Sequence, residues 1–116
     1  MSELTEAHLK AIATLPQDLQ GPVRELASDH QLSPVNTRRL AALLSAQPNL
    51  SLPVALAMVQ AVARSQVGMA LERIEQALDE LPEAGDFTGS ERKVVLACLE
   101  LLERRIAALR QALLSL

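Results

Sequence analysis

The residues able to do chemistry are few and scattered. The chain holds two histidines, His8 and His30, and one cysteine, Cys98. No His, Cys and carboxylate set falls at metal-ligand spacing, so no metal site is expected. Cys98 lies between Ala97 and Leu99 in a helical run with no base or cation placed to activate it. It is expected to pack as a small apolar residue. The four glycines, at 21, 68, 85 and 89, form no phosphate-cradling loop. A single cysteine excludes an intrachain disulfide, and one Phe without Tyr or Trp excludes aromatic stacking platforms. Catalysis and cofactor binding are therefore not expected.

What remains is the chemistry of charge. Between Asp29 and Glu72 the only charged residues are Arg38, Arg39 and Arg64. From Glu72 to Glu91 the sequence turns acidic, with Arg73 the only base. Glu72, Glu75 and Asp79 fall at i, i+3 and i+7, which puts three carboxylates on one helix face. General acid–base work would need burial or a partner to tune them, and the spacing suggests a surface helix instead. With Glu80 and Glu83 they make an acidic patch, and Arg64, Arg105 and Arg110 a basic one lacking obvious intrachain acids. Asp79 is offered to Arg92, and Glu100 to Arg104. These eight residues, Glu72, Glu75, Asp79, Glu80, Glu83, Arg64, Arg105 and Arg110, are the expected partner-binding set. The expected partner is a protein, including a second copy of the chain as a homodimer.

Residues Arg24–Leu40 resemble the DNA-binding helix-turn-helix pattern, with Ala27 at the small helix-contact position and Leu32-Ser33 at the turn. The resemblance implies that Asn36, Thr37, Arg38 and Arg39 read bases or phosphates. Gln31 stands where the turn glycine is usual, His30 where an apolar residue is usual, and Thr37 replaces an apolar core residue. Residues 1–50 carry four basic and five acidic residues, a weak footprint for a phosphate backbone. A nucleic-acid regulator dimerised by its C-terminal helices is thus the alternative reading. His8, in Ala7-His8-Leu9-Lys10-Ala11, is faintly similar to the histidine stretch of phosphotransfer domains, but a plain surface histidine is expected.

Helices must position all of these groups. Leu and Ala supply 23 and 18 of the 116 residues, a composition that favours helix over strand. The expected fold is all-α, a bundle of about five helices in a single domain over 1–116. Residues 1–50 would form three short helices, capped by Ser2, broken at Gly21-Pro22 and restarted at Ser33-Pro34. Ser51-Leu52-Pro53 starts a fourth helix with no stop before Leu81-Pro82, although Gly68 implies a bend or a close neighbour. Thr88-Gly89-Ser90-Glu91 matches a capping box opening the last helix.

Val67, Leu71, Ile74, Leu78 and Leu81 repeat at 4-3-4-3, and Val95, Leu99, Leu102, Ile106, Leu109, Leu113 and Leu116 continue the same alternation. Two such seams joined by a short loop predict a long antiparallel hairpin over 51–116. Residues 40–63 carry no charge, but the turn Gln47–Pro53 interrupts them, so no membrane span is expected. The N-terminus is acidic and polar, unlike a signal peptide, and a cytoplasmic location is expected.

Overall fold

In a computed structural model that describes residues 4–116, every regular element among the described residues is helical. These residues form six α-helices: α1 Glu6–Ala13, α2 Gln17–Asp29, α3 Pro34–Ala46, α4 Leu52–Ala63, α5 Gln66–Asp79 and α6 Gly89–Leu114. A 3-10 turn, Ala84–Asp86, precedes α6. The chain separates into two units, Met1–Asp79 and Glu80–Leu116. The sequence boundary at 50/51 is not where packing divides, because Ala55, Leu56 and Val59 of α4 share one core with α1–α3.

That core is built from Ile12, Leu15, Val23, Ala27, Leu32, Leu40, Ala41 and Leu44 together with the three α4 residues. Each fully buried large aliphatic side chain contributes roughly 1.5–3 kcal/mol, so Ile12, Val23 and Leu40 are its principal anchors.

Thr5 caps α1, and Ser2 lies outside the described residues. Its capping box is completed by His8, an imidazole where Glu or Gln is usual. The break expected at Gly21-Pro22 does not occur: α2 runs through Pro22 without interruption. Proline inside a helix costs about 3 kcal/mol. Here it is offset because Leu19, Val23, Leu26 and Ala27 lie on one stripe turned to the core.

α2 ends in a left-handed turn. Gln31 has φ 51°, its N–H donates to Ser28 O at 3.2 Å, and Leu32 N–H donates to Ala27 O at 2.9 Å. This pair of bonds is a Schellman closure, normally built on glycine. Ser33 and Ser51 cap α3 and α4, each followed by proline in the first turn, as the sequence predicts.

The single helix expected over 52–81 is two helices, bent by 83° at Arg64-Ser65. Ser65 both closes α4 and opens α5. Its N–H and its hydroxyl donate to Val62 O, at 2.9 and 2.7 Å, while Oγ accepts from Gly68 N–H at 3.1 Å. Gly68 is buried, and a Cβ there would overlap the Val62 carbonyl oxygen and sit 2.7 Å from its carbon. The glycine marks the bend, three residues after it. Among the described residues no single helix is long and apolar enough to cross a membrane.

In the second unit, Thr88 and Glu91 form the predicted capping box of α6. The Thr88 N–H, bonded at 2.9 Å, and then the Thr88 hydroxyl hold the Glu91 carboxyl below its ordinary pKa. No residue of α6 is buried.

Candidate interaction surface

The acidic face of α5 is only partly covered: Glu75 is half-buried, while Glu72 and Asp79 are exposed. Gly68, Glu72, Glu75 and Asp79 recur at helical spacing, and this face meets α3. Arg38 Nη2 lies 3.4 Å from Glu75 Oε2 and 3.9 Å from Asp79 Oδ2. Arg39 Nε lies 3.9 Å from Glu75 Oε1. Two expected partner-binding carboxylates are therefore engaged by two expected DNA-binding arginines. The carboxylate that the sequence offers to Arg92 belongs to Arg38.

Arg39 is the most constrained of the four. Its side chain is only 13% exposed. Nη2 donates to Gly68 O at 2.9 Å and Nη1 to Asn36 Oδ1 at 3.3 Å, while Nε is buried without a hydrogen-bond partner. A hydrogen bond from a charged donor contributes about 1.5–3 kcal/mol, against about 0.2–1 kcal/mol for an exposed ion pair. The guanidinium on the Gly68 carbonyl is thus the stronger fastener of α3 to the α4–α5 bend, and the Arg38 pairs are secondary.

The remaining expected nucleic-acid contacts fare unevenly. Thr37 is fully buried and its hydroxyl donates to Ser33 O at 2.9 Å. It fills the apolar core position with its polar group satisfied, which takes it out of reach of a ligand. Asn36 is half-buried and receives Arg39.

Of the other charged candidates, Glu72, Glu80 and Glu83 are exposed. Arg64 is exposed at the end of α4, its Nε donating to Gln60 O at 3.2 Å. Arg105 and Arg110 are exposed on α6. The Glu100–Arg104 pair forms as its spacing predicts, at 2.8 Å.

His8 is not a surface residue. It is buried, with Nδ1 accepting from Thr5 N–H at 3.0 Å and Nε2 2.7 Å from Leu32 O. Because Nδ1 must accept, the ring proton sits on Nε2 and is donated to Leu32. The imidazole caps α1 and pins it to the turn between α2 and α3. Its signal in the sequence was its place three residues after Thr5. His30 is exposed at the end of α2. Cys98 is exposed rather than packed, since α6 has no buried position. Among the described residues no group of His, Cys, Asp or Glu could hold a metal ion.

The feature left over is apolar. On α5, Val67 is 65% exposed, Ile74 56% and Leu78 51%. On α6, Leu102, Ile106, Leu109 and Leu113 are all exposed. The α5 seam is exposed throughout and the α6 seam from Leu102 onward, while Val95 and Leu99 are half-buried; the off-seam Val94, Leu96, Leu101 and Leu114 are exposed as well, so the apolar surface is broader than scattered surface leucines would make. Comparison with protein-family models, with curated proteins and with solved structures found no match.

Proposed function

We propose that the protein is a non-catalytic interaction module, in the class of adaptors, chaperones, inhibitors and assembly factors, that docks on other proteins through helix faces. The observation that supports this is the exposure of the α5 and α6 seams. Apolar stripes at heptad spacing supply affinity when a partner helix covers them. The charges of the expected set, Glu72, Glu75, Asp79, Glu80 and Glu83 with Arg64, Arg105 and Arg110, steer and select the partner. Glu75 and Asp79 also approach α3 through Arg39 and Arg38, and Asp79 stays largely exposed. The antiparallel hairpin of the sequence reading is one use of the seams within a chain, and pairing between chains is another.

The test is to place Asp at Ile74 and at Ile106 in the full chain and to measure association of the purified protein and recovery of cross-linked complexes from cells. The reading expects loss of association with helicity retained. Unchanged association in both variants would refute it.

A second reading, a helix-turn-helix DNA binder, is favoured by Gln31, which adopts the left-handed turn conformation usual for glycine, and by Thr37, which fills the core position. Against it, Arg38 and Arg39 are held by α5. Retention on random duplex DNA at low salt, lost on Arg38→Ala/Arg39→Ala, would establish it. No retention at low salt would remove it.

A further inference from the structure

The apolar seam of α6 carries charges that select one occupant. The alternation places Leu99, Ile106 and Leu113 at the a positions of a heptad and Val95, Leu102, Leu109 and Leu116 at the d positions. The flanking e positions are then Leu96, Glu103 and Arg110, and the g positions Cys98, Arg105 and Ala112. None of these side chains is buried.

Resting on the interaction-module reading, we propose that α6 pairs with α6 of a second copy of the chain, antiparallel, about a two-fold axis near Ile106–Ala108. In that register each a position faces a d position. Leu99 meets Leu116 of the partner subunit, Leu102 meets Leu113 of the partner subunit, and Ile106 meets Leu109 of the partner subunit. The two-fold repeats each contact, giving four wholly aliphatic layers within the helix; Leu116, two residues past the end of α6 at Leu114, meets Leu99 of the partner subunit at either end, and the helical overlap from Leu101 to Leu114 covers about 21 Å.

Charge fixes the direction. Antiparallel helices bring e against e and g against g. Glu103 therefore faces Arg110 of the partner subunit, twice by symmetry, and Arg105 faces the neutral Ala112 of the partner subunit. A parallel pair in register would instead bring g against e of the next heptad. Arg105 would then meet Arg110 of the partner subunit twice, with no acid at either place. The same sequence is self-complementary one way and self-repelling the other. Arg104, on the outer face, is already paired with Glu100 and does not enter either interface.

Sedimentation equilibrium of the full chain, with helicity followed by circular dichroism, tests this. The wild type is expected to dimerise. Arg110→Glu sets Glu103 against a glutamate in the antiparallel pair, and the dissociation constant should rise about tenfold. Glu103→Arg/Arg110→Glu restores complementarity and should return it to near the wild-type value. A parallel pair predicts the reverse for the single variant, because Arg105 then meets a glutamate and the dimer tightens. A tighter or unchanged dimer in Arg110→Glu, or a wild type that stays monomeric, overturns the proposal. The broader reading is judged separately: a monomeric wild type whose complexes still depend on Ile106 would mean a different partner, and complexes indifferent to both Ile74 and Ile106 would mean no docking seam at all.

Discussion

Arg39 donates through Nη2 to the carbonyl of Gly68 at 2.9 Å, joining the middle of α3 to the first turn of α5 just past the bend. The bond places a cation of the acid-free stretch between Asp29 and Glu72 on the glycine whose missing side chain accommodates the bend. It also sets which carboxylates of α5 meet α3: Glu75 and Asp79 follow Gly68 at helical spacing and reach Arg39 and Arg38. The apolar seam, starting at Val67 and offset by one residue from Gly68, is left exposed as a consequence.

Gly68→Ala should destabilise the first unit by about 1–3 kcal/mol, the range for overpacking against atoms that cannot swing aside. The added methyl meets Val62 backbone, not a flexible side chain. Urea denaturation followed by circular dichroism measures it. A change within experimental error would show that the bend does not depend on glycine.

Arg39→Met should cost more than Arg38→Met. The first removes a charge-assisted bond to a carbonyl and strands Asn36 Oδ1, a loss of about 1.5–3 kcal/mol. The second removes only partly exposed pairs, about 0.2–1 kcal/mol. Equal losses, or the opposite order, would show that the ion pairs and not the Gly68 contact hold α3 to the bend.

His8 should be in the Nε2–H tautomer, since Thr5 N–H points at Nδ1. Nitrogen-15 NMR of the ring distinguishes the two forms, and a proton on Nδ1 would contradict the geometry. His8→Ala leaves Leu32 O without its donor and opens the α1 cap, at a cost of about 1–3 kcal/mol.

Gln31→Gly should stabilise the protein by about 1 kcal/mol. A residue with a Cβ pays roughly 1–2 kcal/mol in the left-handed region that glycine does not, and glycine returns part of this through greater freedom when unfolded. Thermal denaturation should show a higher midpoint. A lower one would mean that the Gln31 side chain makes a compensating interaction.

The helical class is legible in the Leu and Ala content, the end of α3 in Pro48, and the caps at Ser33, Ser51 and Thr88 in side-chain-to-backbone bonds that span three residues. The bend at Arg64-Ser65 is not, although Gly68 signals it. Serine inside a helical run carries no stop signal until it is known to serve two helices at once, and that depends on α3 lying across the bend. Pro22 misled in the other direction, since the stripe Leu19–Val23–Leu26 holds α2 together through the core. The acidic face of α5 was visible as a pattern, but its facing Arg38 and Arg39 is a tertiary fact that spacing cannot carry. Nothing in the sequence around His8 marks it as buried, because its burial depends on Leu32 O, 24 residues away. The two seams were read directly, because a heptad is local in one helix; their exposure belongs to the fold.

The central claim is that the exposed heptad positions are a docking face for protein. The most direct measurement places a photoreactive phenylalanine analogue at Ile106, on the α6 seam, and separately at Gln111, on the opposite face of the same helix, and irradiates intact cells. The account predicts a discrete cross-linked protein product from position 106, a second copy of this chain or another polypeptide, and none from position 111. No product from position 106, or the same products from both positions, would contradict it.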